Sequence, residues 1–344
     1  MWNPDRYIKQ LIDGMEKSRE ALSKDKCWND RRQSLLRELS KTLGRFSDNS
    51  GRPLQARQLE HVEISTMVWE RIEYTVDEGL TVPAYVVSPK EPTVRKRPAI
   101  VALHGHGWGS REMVGLLPSG KPNVNDDHIP SGHGTIIHQL AERGFVVVVP
   151  EIVGFGDRRL TQDNGGDDPK ANSCFPLAAA LLLAGKTLAG LRVYEASRAV
   201  DYVLQRGDTD SQRIGVIGFS GGGMIASLVA ATDDRIGAAA IYGYASTYRG
   251  SILARRHCLD NYLPGILQHA EMPDLLGLIA PRPLFIESGL EDPLFPAEQV
   301  REAIREIKAI YREMECEERF AFDLFEGGHE MNGRHSLDWL ESNV

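Results

Sequence analysis

The chain lacks closely spaced cysteines. Cys27, Cys174, Cys258 and Cys316 stand far apart and no CxxC pair occurs, which leaves reduced, mostly buried thiols of a cytoplasmic protein as the expectation. It also lacks massed positive charge. Forty Lys and Arg residues against 48 Asp and Glu give a net charge of −8, and the only tight basic cluster is the short run Arg95 to Arg97. Phosphate binding needs clustered cations, so a nucleic-acid partner is not expected. Long apolar runs are missing too. The most apolar stretch, FPLAAALLLAGKTLAGL, is interrupted by Lys186 and by glycines; it reads as a buried helix and not as a membrane span. The opening MWNPDRYIKQLIDGMEKSRE is charged and helical in pattern, unlike a secretory signal. What is present, 344 residues with 42% apolar and 26% charged, suffices for one large α/β domain.

Up to about Phe46 the apolar spacing is helical (Tyr7, Leu11, Met15, then Leu35, Leu36 and Leu39), which predicts an N-terminal helical segment over residues 1–50. DNSGRP breaks it. Between Val62 and Val87 apolar residues alternate, as in antiparallel strands at a sheet edge. From Pro98 the pattern changes. PAIVALHG and FVVVVPE are continuous apolar runs, as expected of strands buried on both faces, with the helical GTIIHQLAERG between them. Further alternation of helices and buried strands follows to the C-terminus, interrupted by an irregular insertion over about 245–280. The pattern predicts an α/β domain over 51–344, a mostly parallel sheet covered on both faces, with ligands bound beyond the carboxyl ends of its strands.

RIGVIGFSGGGMIASLVAAT contains Gly218-Phe219-Ser220-Gly221-Gly222, a G-x-S-x-G pattern between an apolar strand and a small-residue helix. A serine on so tight a turn needs small residues two before and two after it, and here both are glycine. The pattern fits a nucleophile; a phosphate-binding loop would need the Walker lysine or G-x-G-x-x-G spacing, both absent. A neutral hydroxyl needs a general base. His329, in LFEGGHEMN just past the last strand, is the candidate, with His335 at the start of the final helix as the alternative. The acid that orients the imidazole is sought after the preceding strand, where PRPLFIESGLEDPLFP offers Glu287, Glu291 and Asp292. Asp292 stands farthest out on the loop, although an Asp-Pro pair is also a common turn element. For the oxyanion hole, the N–H of Gly221 and the N–H of His106, in ALHGHGWGS, are the expected donors. His104, His106 and Trp108 in that loop raise a metal site as an alternative, but no acidic or cysteine partner is spaced along the chain to complete one. No metal or other cofactor is expected.

These residues resemble the α/β-hydrolase fold and, more narrowly, the dienelactone hydrolase and acetyl xylan esterase-like group. The matching stretches are LHGHG, ERGFVVVVPEIVGFGDR, RIGVIGFSGGG, NYLPGIL, LIAPRPLFIESGLEDPLFP and GGHEM, from about Pro98 onward. The resemblance implies cofactor-free, serine-dependent hydrolysis of small acyl or acetyl esters, with Ser220, Asp292 and His329 as triad. Two departures limit it. Dienelactone hydrolases proper use cysteine where this chain has Ser220, and multimeric acetyl xylan esterases carry Gln where it has Gly221.

The insertion is expected to roof the site, with Arg255, Arg256, His257 and Tyr262 as candidate substrate contacts and Trp108 as another. The NDDHIPSGHG segment is a second candidate wall. A homo-oligomer is compatible with the sequence. The competing readings are a prolyl oligopeptidase-type peptidase, for which the residues before Pro98 are too few to form a propeller, and a catalytically silent binding protein on the same scaffold.

Overall fold

The computed structural model describes residues 2–23, 26–47, 53–64, 66–91, 94–123, 132–164 and 166–344. Nine strands form one sheet: β1 (Arg57–Ile64), β2 (Met67–Asp77), β3 (Leu80–Pro89), β4 (Arg97–Leu103), β5 (Val146–Pro150), β6 (Thr209–Phe219), β7 (Ala238–Tyr242), β8 (Leu284–Gly289) and β9 (Phe320–Phe325), in spatial order β1-β2-β3-β5-β4-β6-β7-β8-β9. β1 to β3 are an antiparallel meander at one edge, joined antiparallel through β3 to β5; from β5 to β9 all pairings are parallel. The sequence places the meander correctly, but β1 begins at Arg57, upstream of the alternation at Val62.

The helices are α1 (Asp5–Ser23), α2 (Trp28–Leu43), α3 (Ser110–Met113), α4 (His133–Glu142), α5 (Cys174–Leu183), α6 (Leu188–Gln205), α7 (Gly221–Thr232), α8 (Met272–Gly277), α9 (Ala297–Glu313) and α10 (Ser336–Asn343). Successive strand residues point to opposite faces, so a strand buried on both must be apolar throughout. In β4, Ala99, Val101 and Leu103 face a core shared with α2, α6, α7 and α9. Ile100 and Ala102 face the opposite core, shared with α4 and α10. The long apolar stretch read as a buried helix is instead two helices, the first largely at the surface: α5 ends at Leu183 with only Cys174 and Ala178 buried, and Thr187 caps α6 by accepting the Gly190 N–H at 3.0 Å. Among the described residues no single helix is long and apolar enough to cross a membrane. α5 and α6 reach that length and apolarity only together, bent by 100° at their junction.

The insertion after β7 is irregular, consisting of a single π turn at Tyr248–Ile252, two short 3-10 turns and α8. It is anchored by a buried ion pair between Arg192 of α6 and Asp260, whose side chains are 1% and 0% exposed. α1 and α2 pack against this insertion: Arg31 pairs with Asp274 at 2.6 Å, and Arg249 pairs with Glu16 at 2.8 Å and with Asp13.

Candidate active site

β6 delivers Ser220 to the carboxyl edge at the centre of the sheet. Its φ of +54° lies in the left-handed region that an L residue adopts at a cost. Two backbone hydrogen bonds hold it there: its N–H donates to the Tyr242 carbonyl at 2.8 Å, and its carbonyl accepts from Met224 at 3.1 Å. The flanking glycines are required sterically. A Cβ on Gly218 would lie 2.2 Å from the Gly222 oxygen, and one on Gly222 would lie 2.0 Å from the Leu103 oxygen.

Ser220 Oγ lies 2.8 Å from His329 Nε2, and His329 Nδ1 lies 2.6 Å from Asp292 Oδ2. The loops after β8 and β9, neighbouring strands, bring the acid and the imidazole together. The Asp292 side chain is fully buried, and its other oxygen accepts the N–H groups of Leu294 and Phe295 at 2.8 and 3.0 Å. Acceptance of two N–H bonds suits an ionised carboxylate. The His329 ring is braced between Phe219, at 4.8 Å between centroids, and Phe295, stacked at 5.7 Å.

The two other acids of that loop lie elsewhere. Glu291 is exposed. Glu287, still inside β8, is fully buried and accepts the N–H groups of Asn332 and Gly333 at 2.7 and 3.0 Å. Burial pushes its carboxyl up to about 7, and its hydrogen bonds fasten the loop that carries His329. His335 is exposed at the N-cap of α10.

The loop after β4 approaches from the other side. A Cβ on Gly105 would lie 3.2 Å from Ser220 Cβ, and one on Gly221 would lie 3.1 Å from the His106 ring. His106 and Gly221 therefore stand side by side next to the serine. His104 is buried and fully engaged, its Nδ1–H donating to the Gly105 carbonyl at 2.8 Å while Nε2 accepts the Ile152 N–H at 3.0 Å. Burial lowers its pKa to about 3, which keeps it neutral in this pairing.

A cavity of about 370 Å³ opens on the serine, lined by His106, Phe219, Ser220, Gly221, Tyr244, Arg256, His257, Cys258, Asn261, Leu294, Phe295 and His329. Three expected substrate contacts are absent from this lining. Trp108 turns away: its Nε1 donates to the Leu116 carbonyl at 2.9 Å and its N–H to Glu112 at 3.1 Å. Arg255 folds back on its own turn, donating to the Gly250 carbonyl at 2.7 Å, and Tyr262 reaches the Ile252 carbonyl at 3.3 Å. Arg256 and His257, expected alongside them, do line it, together with Tyr244 and Phe295, which the sequence reading missed. Tyr244 lies two residues past the end of β7, at the rim where ligands of such sheets bind, and that position was the available signal. Of the NDDHIPSGHG wall, residues 125–131 lie outside the described residues. His133 packs 4.5 Å from Phe219 behind the catalytic imidazole candidate.

The expectation that no cysteine could join His106 is corrected by the fold. Cys174, at the start of α5, and Cys258, in the insertion, lie beside it, with the three ligand atoms within 4.8 Å of one another. Spacing along the chain could not reveal this, because the three segments meet only in the tertiary structure.

Residues 82–317 match the model of the dienelactone hydrolase family. A Bacillus subtilis protein, YtaP, which carries the name of a hydrolase, is 30% identical over 280 residues, covering 80% of this chain and 86% of its own. Among solved structures, one from Bacteroides fragilis described as an acetyl xylan esterase superposes with a TM-score of 0.75 at 15% identity, covering 94% of this chain and 83% of that one. A glucuronoyl esterase from Solibacter usitatus superposes with a TM-score of 0.65 at 15% identity, covering 90% of each chain.

Proposed function

The chain belongs to the dienelactone hydrolase family and is an α/β-hydrolase-fold ester hydrolase, and on that premise we propose that Ser220, His329 and Asp292 are its catalytic triad. The observation that carries this reading is the unbroken hydrogen-bond chain from Ser220 Oγ through His329 to the buried Asp292. Ser220 attacks the ester carbonyl as His329 Nε2 takes its proton, and Asp292 holds Nδ1 protonated and stabilises the imidazolium. The N–H groups of His106 and Gly221 receive the oxyanion. His329 then protonates the departing alcohol, and water repeats the cycle on the acyl-serine. Ser220 offers a hydroxyl and not a thiol, so cysteine-type dienelactone chemistry does not carry over.

The cavity is small and mixed in character, with Tyr244, Leu294 and Phe295 opposed by Arg256, His257 and Asn261. That supports short acyl esters of polar alcohols, acetyl esters first. The insertion roofs it with Arg256, His257, Cys258 and Asn261, and α1 and α2 pack against that insertion. Four free thiols suit the reducing interior of a cell, and we place the protein there.

A fluorophosphonate probe tests the assignment: intact mass should rise by one adduct that maps to Ser220, and Ser220→Ala should lose both the adduct and at least about a thousandfold in kcat on p-nitrophenyl acetate. Near-wild-type turnover by that variant would remove Ser220 from the mechanism. Activity on peptidyl anilides without activity on esters would transfer the site to a peptidase.

A further inference from the structure

We propose that His106, Cys174 and Cys258 form a binding site for a thiophilic metal ion, zinc(II) foremost, which clamps the roof onto the oxyanion loop and so inhibits the enzyme. One imidazole nitrogen and two sulfurs already lie within 4.8 Å of one another. Tetrahedral zinc, with bonds of about 2.3 Å to sulfur and about 2.0 Å to nitrogen, needs its ligands roughly 3.5–3.8 Å apart. The ligand atoms therefore need to approach one another by about an ångström to close the site. Two sulfurs and an imidazole select zinc, cadmium or monovalent copper over magnesium and calcium, which prefer oxygen.

The surroundings also suit a bound thiolate. Arg192 Nη2 donates to Cys174 Sγ at 3.2 Å, a hydrogen bond to the ligand from outside the coordination sphere. The positive charge of Arg192 does not oppose the cation outright, because Asp260 is paired with it in the same buried position. On binding, each thiol releases its proton to water as its sulfur bonds the metal.

Three protein ligands leave a fourth position open. Since His106 and Cys258 both line the cavity that contains Ser220, that position is left to water or to a group entering from the cavity. Cys258 belongs to the roof and His106 to the loop after β4, so one ion ties together two segments that substrate must pass between. The inhibition rests on the esterase reading above; the binding does not.

The test uses the reduced, metal-free full chain titrated with cobalt(II). One equivalent should produce a sulfur-to-cobalt charge-transfer band in the near ultraviolet and the intense visible bands of four-coordinate cobalt, and zinc should bleach both. Cys174→Ser and Cys258→Ser should each weaken binding by at least about a hundredfold, while Cys27→Ser and Cys316→Ser retain it. Should the buried Cys174→Ser variant fail to fold, the partly buried Cys258 carries the comparison. Zinc should inhibit ester hydrolysis by the wild type and not by Cys258→Ser. Absence of the sulfur band, or cobalt binding by Cys258→Ser as tight as that of the wild type, overturns the site. Cobalt bands in a protein without esterase activity leave the metal site standing and remove the proposed function instead.

Discussion

Asp292 meets His329 with one carboxylate oxygen, 2.6 Å from Nδ1, and spends the other on two backbone N–H groups. This division of labour makes the pair directional. In Asp292→Asn the remaining carbonyl oxygen stays with Leu294 and Phe295, which presents the amide NH₂ to Nδ1. The imidazole must then carry its proton on Nε2, facing Ser220, where it cannot act as a base. The expected outcome is a loss of about 10³–10⁴ in kcat on p-nitrophenyl acetate with the melting temperature little changed. A loss below tenfold would take Asp292 out of the triad.

The pH dependence of stability should report His104. Its folded pKa of about 3 lies below the roughly 6.5 of an unfolded histidine. Between those values the unfolded chain binds a proton that the native state refuses, so stability falls as pH drops from about 6.5 toward 3. His133, lowered to about 4 by burial, acts in the same direction. Glu287, raised to about 7, acts in the opposite one. Comparing wild type with His104→Gln cancels the shared contributions. Urea denaturation at pH 7.5 and pH 5 should show the variant losing less stability on acidification, and equal losses would refute the assignment.

Glycines at different places should respond in opposite ways to the same change. Gly222→Ala forces a Cβ to within 2.0 Å of the Leu103 oxygen and should destabilise by at least about 2 kcal/mol, or prevent folding. Gly14 sits exposed in α1 with nothing within 4 Å of its missing Cβ. Gly14→Ala should stabilise by about 0.5–1 kcal/mol. Thermal or denaturant melts of the two variants decide the point.

The Arg192–Asp260 pair should be costly to break from one side. Asp260→Ala leaves a guanidinium buried without its counter-charge and should cost about 3–5 kcal/mol in denaturant unfolding. A change below about 1 kcal/mol, typical of surface pairs, would mean that the insertion is not anchored there.

Much of the architecture could be read from the residues because its physics is local. Strands buried on two faces must be continuously apolar, as in FVVVVPE, and a serine on a strained turn must be flanked by small residues. The placement of His329 and Asp292 follows from the order in which such strands end. The cavity wall was less legible. Arg255 and Arg256 are neighbours on an irregular segment without period, and only tertiary contacts turn one inward and the other onto Gly250. Trp108 has a contact's position in the loop after β4, but Gly109, at a φ of +91°, belongs to a turn that leads the chain toward α3, and the indole holds the Leu116 carbonyl. The meeting of His106 with Cys174 and Cys258 spans three distant segments and had no sequence signal.

β6 has β4 on one side and β7, β8 and β9 on the other, so the loops that handle charge reach Ser220 from opposite flanks of a rigid floor. The 245–280 segment leaves the chain between β7 and β8 and returns without contributing a strand. Its exposed positions Leu253, Ala254 and Arg256 can therefore vary while the buried Asp260 and residues 270–280 keep it anchored. In this architecture a few exposed positions of the insertion can be exchanged without touching the side chains that meet at Ser220.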